Sequence, residues 1–126
     1  MPLALRIRAL GQIAQPVADL ARATAFYREV LGLDLLFDVP RMAFFRLGDT
    51  RLMLAGPEGE PRAQGSILYF SVEDLEASCR GLEGRGVALD QDPTLVADMG
   101  DHELWMAFFR DSEGNQLALM AEKAKS

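Results

Sequence analysis

Between residues 6 and 14, apolar and polar positions alternate with a period of two. Ile7, Ala9, Gly11 and Ile13 fall on one side, and Leu10, Gln12 and Ala14 on the other. That period predicts a strand over 6–14. The period then lengthens: Leu20, Ala23, Tyr27, Val30 and Leu31 recur at helical spacing, with Arg22, Arg28 and Glu29 off the stripe. Asp19 stands where an N-cap carboxylate accepts from the free amides of a first turn. Gly32 follows the stripe, where a left-handed residue commonly closes a helix. Three short strands are predicted next, at 33–39, 42–47 and 51–55, divided by tight turns at Pro40-Arg41 and Gly48-Asp49.

Residues 56–65 are rich in glycine, proline and charge, and read as a linker. The pattern then starts again. Residues 66–72 predict a strand, and Asp74 caps a helix whose stripe is Leu75, Cys79 and Leu82, ending in Gly84 and Gly86. Strands are predicted around 87–89, 95–97, 104–110 and 116–121, the last two joined by a hairpin over 111–115. Val17-Ala18-Asp19-Leu20-Ala21 is echoed by Val72-Glu73-Asp74-Leu75-Glu76, an offset of 74 − 19 = 55 residues, and Tyr27 maps onto Leu82 at the same offset. Two copies of one strand–helix–strands unit indicate duplication rather than a solenoid. The expected organisation is a single α+β domain over 1–126, with one module at about 6–55 and a second at about 66–121.

Bulk composition narrows the function classes. A chain of 126 residues with 49% hydrophobic and 25% charged residues can bury its own core. The formal net charge of −6 disfavours nucleic acid and anionic membrane surfaces as partners, and mildly favours a cationic ligand. Cys79 is the single cysteine, so an intrachain disulfide is impossible. Arg6 and Arg8 interrupt the N-terminus before a signal-peptide core forms, and no apolar run approaches the roughly 18 residues of a membrane helix. The expectation is a cytoplasmic protein.

Three segments carry a family resemblance: residues 12–20 (QIAQPVADL), 25–33 (AFYREVLGL) and 108–115 (FFRDSEGN). Together they make the chain, from about Leu10 to Met120, resemble the glyoxalase, bleomycin-resistance and extradiol-dioxygenase superfamily, the vicinal oxygen chelate proteins. The resemblance implies two tandem βαβββ modules forming a curled mixed sheet, a glyoxalase-like cup, generally in homodimers. It also implies a divalent metal held by His, Glu or Gln side chains, two from each module, that acts as a Lewis acid on vicinal substrate oxygens.

Carried over position by position, those ligands fall on Gln12, Met53, Ile67 and Ala118. Only Gln12 offers a donor that suits a hard or borderline divalent ion. The reading is therefore of no metal, no cofactor and no assigned catalytic residue. The expected lining is Gln12, Met53, Ile67, Tyr69 and Ala118, joined by Met106 and Phe108 through strand parity. It suits a small, partly apolar organic molecule. The alternative is a metal-dependent lyase, epimerase or dioxygenase-like enzyme with an unusual ligand set such as Gln12, Gln116 and His102.

Other residues with chemical potential are weighed against plainer roles. His102 is the sole histidine, at a strand start beside Asp101 and Glu103. An acid–base pair of His102 and Glu103 is opposed by strand parity, which sends neighbours to opposite faces. Asp90, Asp92, Asp98, Asp101 and Glu103 read as an exposed acidic connection without calcium-loop rhythm. Trp105 and Phe109 share a face suited to packing under the second helix. Cys79 reads as a buried, inert thiol.

Overall fold

Two aspartates mark the starts of equivalent helices. Asp19 (φ −127°, ψ 103°) accepts from the Arg22 amide, and Asp74 (φ −122°, ψ 102°) accepts from the Ala77 amide, each at 3.0 Å. The two caps are thus the same motif at the 55-residue offset. The structure, a computed structural model, describes residues 5–6, 8–56 and 65–125. The elements run β1 (Gln12–Pro16), α1 (Leu20–Ala25), β2 (Asp34–Val39), β3 (Met42–Leu47), β4 (Thr50–Ala55), β5 (Leu68–Ser71), α2 (Leu75–Gly84), β6 (Leu89–Asp98), β7 (His102–Arg110) and β8 (Gln116–Ala124). Most of the 56–65 linker lies outside the described residues, as does Ile7.

Each module builds a four-stranded mixed sheet, ordered β1-β4-β3-β2 in the first and β5-β8-β7-β6 in the second. In both, the first strand pairs in parallel with the fourth, and the rest pair antiparallel. This is the duplicated βαβββ plan that the order of elements predicts.

The helical stripe from Leu20 to Leu31 is only partly α-helical. After Ala25 the chain widens into a π turn at Phe26–Val30, closed by Leu31 N–H donating to the Phe26 carbonyl at 3.1 Å. The wider turn leaves Tyr27 fully buried, and Gly32 then leaves the helix at φ 74°. Alternate strand residues face the helices: Ala43, Phe45, Leu52 and Leu54 in the first module, and Ala107, Phe109, Leu117 and Leu119 in the second. They merge with Ala23, Tyr27, Leu75, Cys79 and Leu82 into one core.

Two expectations need correction. The first strand spans 12–16, not 6–14. It is an edge strand paired only with β4, so Pro16, which lacks an N–H, is tolerated in it. The acidic segment is strand as well. β6 runs unbroken through Leu89–Asp98, with register shifts at Leu89/Gln91, Gln91/Thr94 and Leu95/Ala97. As an edge strand it accommodates Pro93 at such an irregularity and points its acids to solvent.

A clasp locks the modules together. In the β7–β8 hairpin, Asp111 accepts from the amides of Glu113 and Asn115, each at 2.8 Å. Its other oxygen receives the Tyr27 hydroxyl at 2.7 Å, and Asn115 Nδ2 donates to the Pro16 carbonyl at 2.9 Å. Glu113 reaches the start of α1. It accepts from the Ala18 and Asp19 amides at 3.1 and 2.7 Å, and it forms a fork with Arg22 at 2.7 and 3.0 Å. Its carboxylate is 1% exposed. Arg22 foremost, with the Asp19 amide and Ser112 behind it, holds the Glu113 pKa down at about 2 against the burial that opposes it. Burial first, then the Asp111 charge, pushes the Tyr27 hydroxyl far above its ordinary range.

Candidate functional site

Helices cover one face of each sheet and leave the other open. On β4, Leu52 and Leu54 point into the core, so Arg51 and Met53 lie on the open face. The parallel register sets Gln12 of β1 against Arg51, and the antiparallel register sets Phe44 of β3 against Met53. These side chains touch. Arg51 Nε donates to Gln12 Oε1 at 2.7 Å, the Arg51 guanidinium sits 5.1 Å from the centre of the Phe44 ring, and Gln12 Nε2 lies 3.8 Å from Met53 Sδ. Phe37 stacks on the outer side of Phe44 at 4.5 Å.

In the second sheet the open face carries Tyr69 on β5, Ala118 on β8 and Met106 and Phe108 on β7. Cross-strand register places Ala118 between Tyr69 and Phe108. The Tyr69 and Phe108 rings meet edge to face at 6.1 Å. Ala118 has no exposed surface, so it forms the floor of this group rather than its lining. Tyr69 remains 45% exposed, which leaves an aromatic surface free.

The two groups adjoin at the seam between modules. A cleft of about 470 Å³ opens there, lined by Leu10, Gln12, Leu47, Ile67, Tyr69 and Phe70 among others. It is large enough for a small organic molecule. Of the residues expected from sequence, Gln12, Ile67 and Tyr69 line it directly. Met53 adjoins through Gln12, and Phe108 through Tyr69. Met106 pairs with Met120 further along the β7–β8 hairpin, away from the cleft's lining. Arg51 and Phe44 were missed by sequence reading, although period-two parity already places Arg51 beside Met53.

The family metal does not fit this donor set. Gln12, Met53, Ile67 and Ala118 supply an amide, a thioether and two hydrocarbon side chains. The amide oxygen of Gln12 is taken by Arg51, whose fixed positive charge repels a divalent ion at this point. Among the described residues, no three His, Cys, Asp or Glu side chains converge to hold an ion. The set Gln12, Gln116 and His102 does not assemble either. Gln116 pairs with Arg110 and His102 with Ala124, at opposite ends of the β7–β8 hairpin. Eight residues of strand separate the two levels, about 26 Å.

The remaining candidates take plain roles. His102 binds Asp101 at 2.6 Å at the hairpin tip, while Glu103, on the other face, accepts from Trp105 Nε1 at 3.1 Å. No shared acid–base site results. Trp105 packs against the core and carries Lys123 over its ring at 4.5 Å. Cys79 is buried, and burial pushes its thiol pKa up, away from reactivity. Asp90 pairs with Arg110 at 3.1 Å and Asp98 with Lys125 at 2.7 Å, so the acidic strand is partly neutralised.

Paired βαβββ units with helices on one face and a cleft at the seam define a glyoxalase-like α+β fold. The sequence profile of the Glyoxalase/Bleomycin resistance protein/Dioxygenase superfamily matches residues 9–119, and the chain belongs to that superfamily. The metallothiol transferase FosB of Staphylococcus haemolyticus is 31% identical over 113 residues, spanning 78% of this chain and 81% of its own length. TnmS3, an antibiotic binding protein from Streptomyces sp. CB03234, superposes with a TM-score of 0.74 at 30% identity, covering 93% of this chain and 98% of its own. A superfamily member from Sphaerobacter thermophilus shares the fold at a TM-score of 0.78 and 23% identity, with 93% and 99% coverage.

Proposed function

We propose that this protein binds a small, partly apolar organic molecule at the seam cleft, without the family's divalent ion. The observation that carries this reading is the Gln12–Arg51 hydrogen bond. It occupies the one metal-type donor of the inherited ligand positions and leaves a cleft walled by Ile67, Tyr69 and Phe70. The likeness to an antibiotic binding protein points the same way. Leu36, Phe37, Val39, Leu95 and Val96 expose apolar surface on the outer strands, and Met99 does so just beyond β6, which suits burial in a homodimer. No described helix is long and apolar enough to cross a membrane, and a cytoplasmic location fits the buried free thiol of Cys79.

A second reading, a metal-dependent enzyme of the lyase, epimerase or dioxygenase type, draws support from the likeness to FosB, named a metallothiol transferase. It needs donors from outside the inherited positions.

Amide-resolved NMR with benzyl alcohol as a neutral probe tests the binding site. Saturable shifts at Gln12, Ile67, Tyr69 and Phe70, weakened by Tyr69→Ala, are the expected result. Shifts confined to the β6–β7 tip, or no saturable shift at all, would refute the placement.

A further inference from the structure

On the open face of the first sheet, Gln12 and Arg51 pair beside the cleft and leave N–H groups pointing outward. The guanidinium of Arg51 has donors only, so the atom accepting its Nε–H must be the Gln12 carbonyl oxygen, which fixes the amide's orientation. The Gln12 NH2 group therefore faces away from Arg51, toward the thioether sulfur of Met53, a weak acceptor, at 3.8 Å. Among the described residues, no carboxylate engages the terminal nitrogens of Arg51. Its contacts are Gln12 and the face of Phe44.

Charge placement adds to this. Arg46 of β3 stands directly across from Arg51 on the same face. Like charges directly opposite each other weaken a sheet. Asp34 stands opposite Arg46 on the outer strand β2, two strands from Arg51, and Asp49 lies in the turn that joins the two arginine strands. In a chain of net charge −6, this face concentrates positive charge beside the apolar cleft. Gln12 and Phe44 hold Arg51 in place, so little side-chain freedom is lost when it binds a ligand.

We infer that Arg51, with the Gln12 amide and Arg46, forms an anion-binding subsite, and that the cleft's ligand carries a carboxylate or a phosphate-type group on a small apolar body. The inference rests on the seam cleft being the binding site, and it reverses the preference for a cationic ligand that net charge alone gives. Arg51 then supplies, as a fixed cation, the positive charge that a metal supplies in relatives. No covalent step is implied.

Calorimetric titration of the whole chain with benzoate, phenylphosphonate, benzyl alcohol and benzylamine tests it. Both anions are expected to bind more tightly than the alcohol, and benzylamine most weakly. Adding salt weakens the anions selectively. Arg51→Gln, at an exposed position where folding is checked by circular dichroism, is expected to weaken anion binding about tenfold or more and to leave benzyl alcohol unchanged. Arg51→Lys recovers part of the loss. The stronger of the two anions identifies carboxylate or phosphate-type chemistry. Equal binding of alcohol and anions, or anion binding indifferent to Arg51→Gln, overturns the anion subsite while leaving the cleft as the binding site. Failure of all four probes overturns both.

Discussion

Single residues explain why the family's sequence strings look as they do. The 25–33 and 108–115 strings meet in space: Tyr27 donates to Asp111, and Glu113 grips Arg22 and the start of α1. Their specificity is that of a joint between modules, not of a reaction centre. Glu113 makes that joint sensitive to acid. Its pKa falls from an ordinary 4.5 to about 2 on folding, so its stabilisation is complete above pH 4.5. It is lost as pH falls from there toward 2, because a proton then binds the unfolded chain first. Arg22 is more than half exposed, and after screening the contribution is roughly 2 kcal/mol. Glu113→Gln is expected to lower stability by about that amount at neutral pH. Urea unfolding of variant and parent should converge near pH 2. A constant difference down to that pH would show that charge is not the cause.

At the scale of elements, the duplication was legible because its signals are local. Short apolar runs bounded by turn residues mark β3, β4 and β8, and the aspartate caps mark both helices. Each cap is worth about 1 kcal/mol, so Asp74→Ala should lower the melting temperature by several degrees. Asp19→Ala should cost a similar amount, since the Arg22 amide loses its acceptor as the Ala77 amide does in the second module. A loss at only one of the two sites would break the equivalence of the modules. β6 was legible only as two fragments, around 87–89 and 95–97, because Pro93 and an irregular register break the pattern between them. The site was legible in part. Gln12 and Ile67 came from the family resemblance, with Tyr69 two residues beyond Ile67, and all three border the cleft. Arg51 escaped because its importance lies in a parallel pairing with residues 39 positions away, and local periodicity carries no record of which strands become neighbours.

At the scale of the whole molecule, two sheets turn their apolar faces toward a shared core and leave a seam between their first strands. The family's scaffold is present, while the positions onto which the resemblance carries its ligands hold an amide bonded to Arg51, a thioether, a branched hydrocarbon and a buried methyl. In the proposed reading, the Arg51 guanidinium provides the positive charge beside Gln12. Metal content of the purified chain, followed by titration with nickel, zinc and manganese, tests this most directly. The account predicts no stoichiometric ion as isolated and no saturable uptake in parent or Gln12→Ala. One tightly held ion per chain, released by Gln12→Ala, would contradict it.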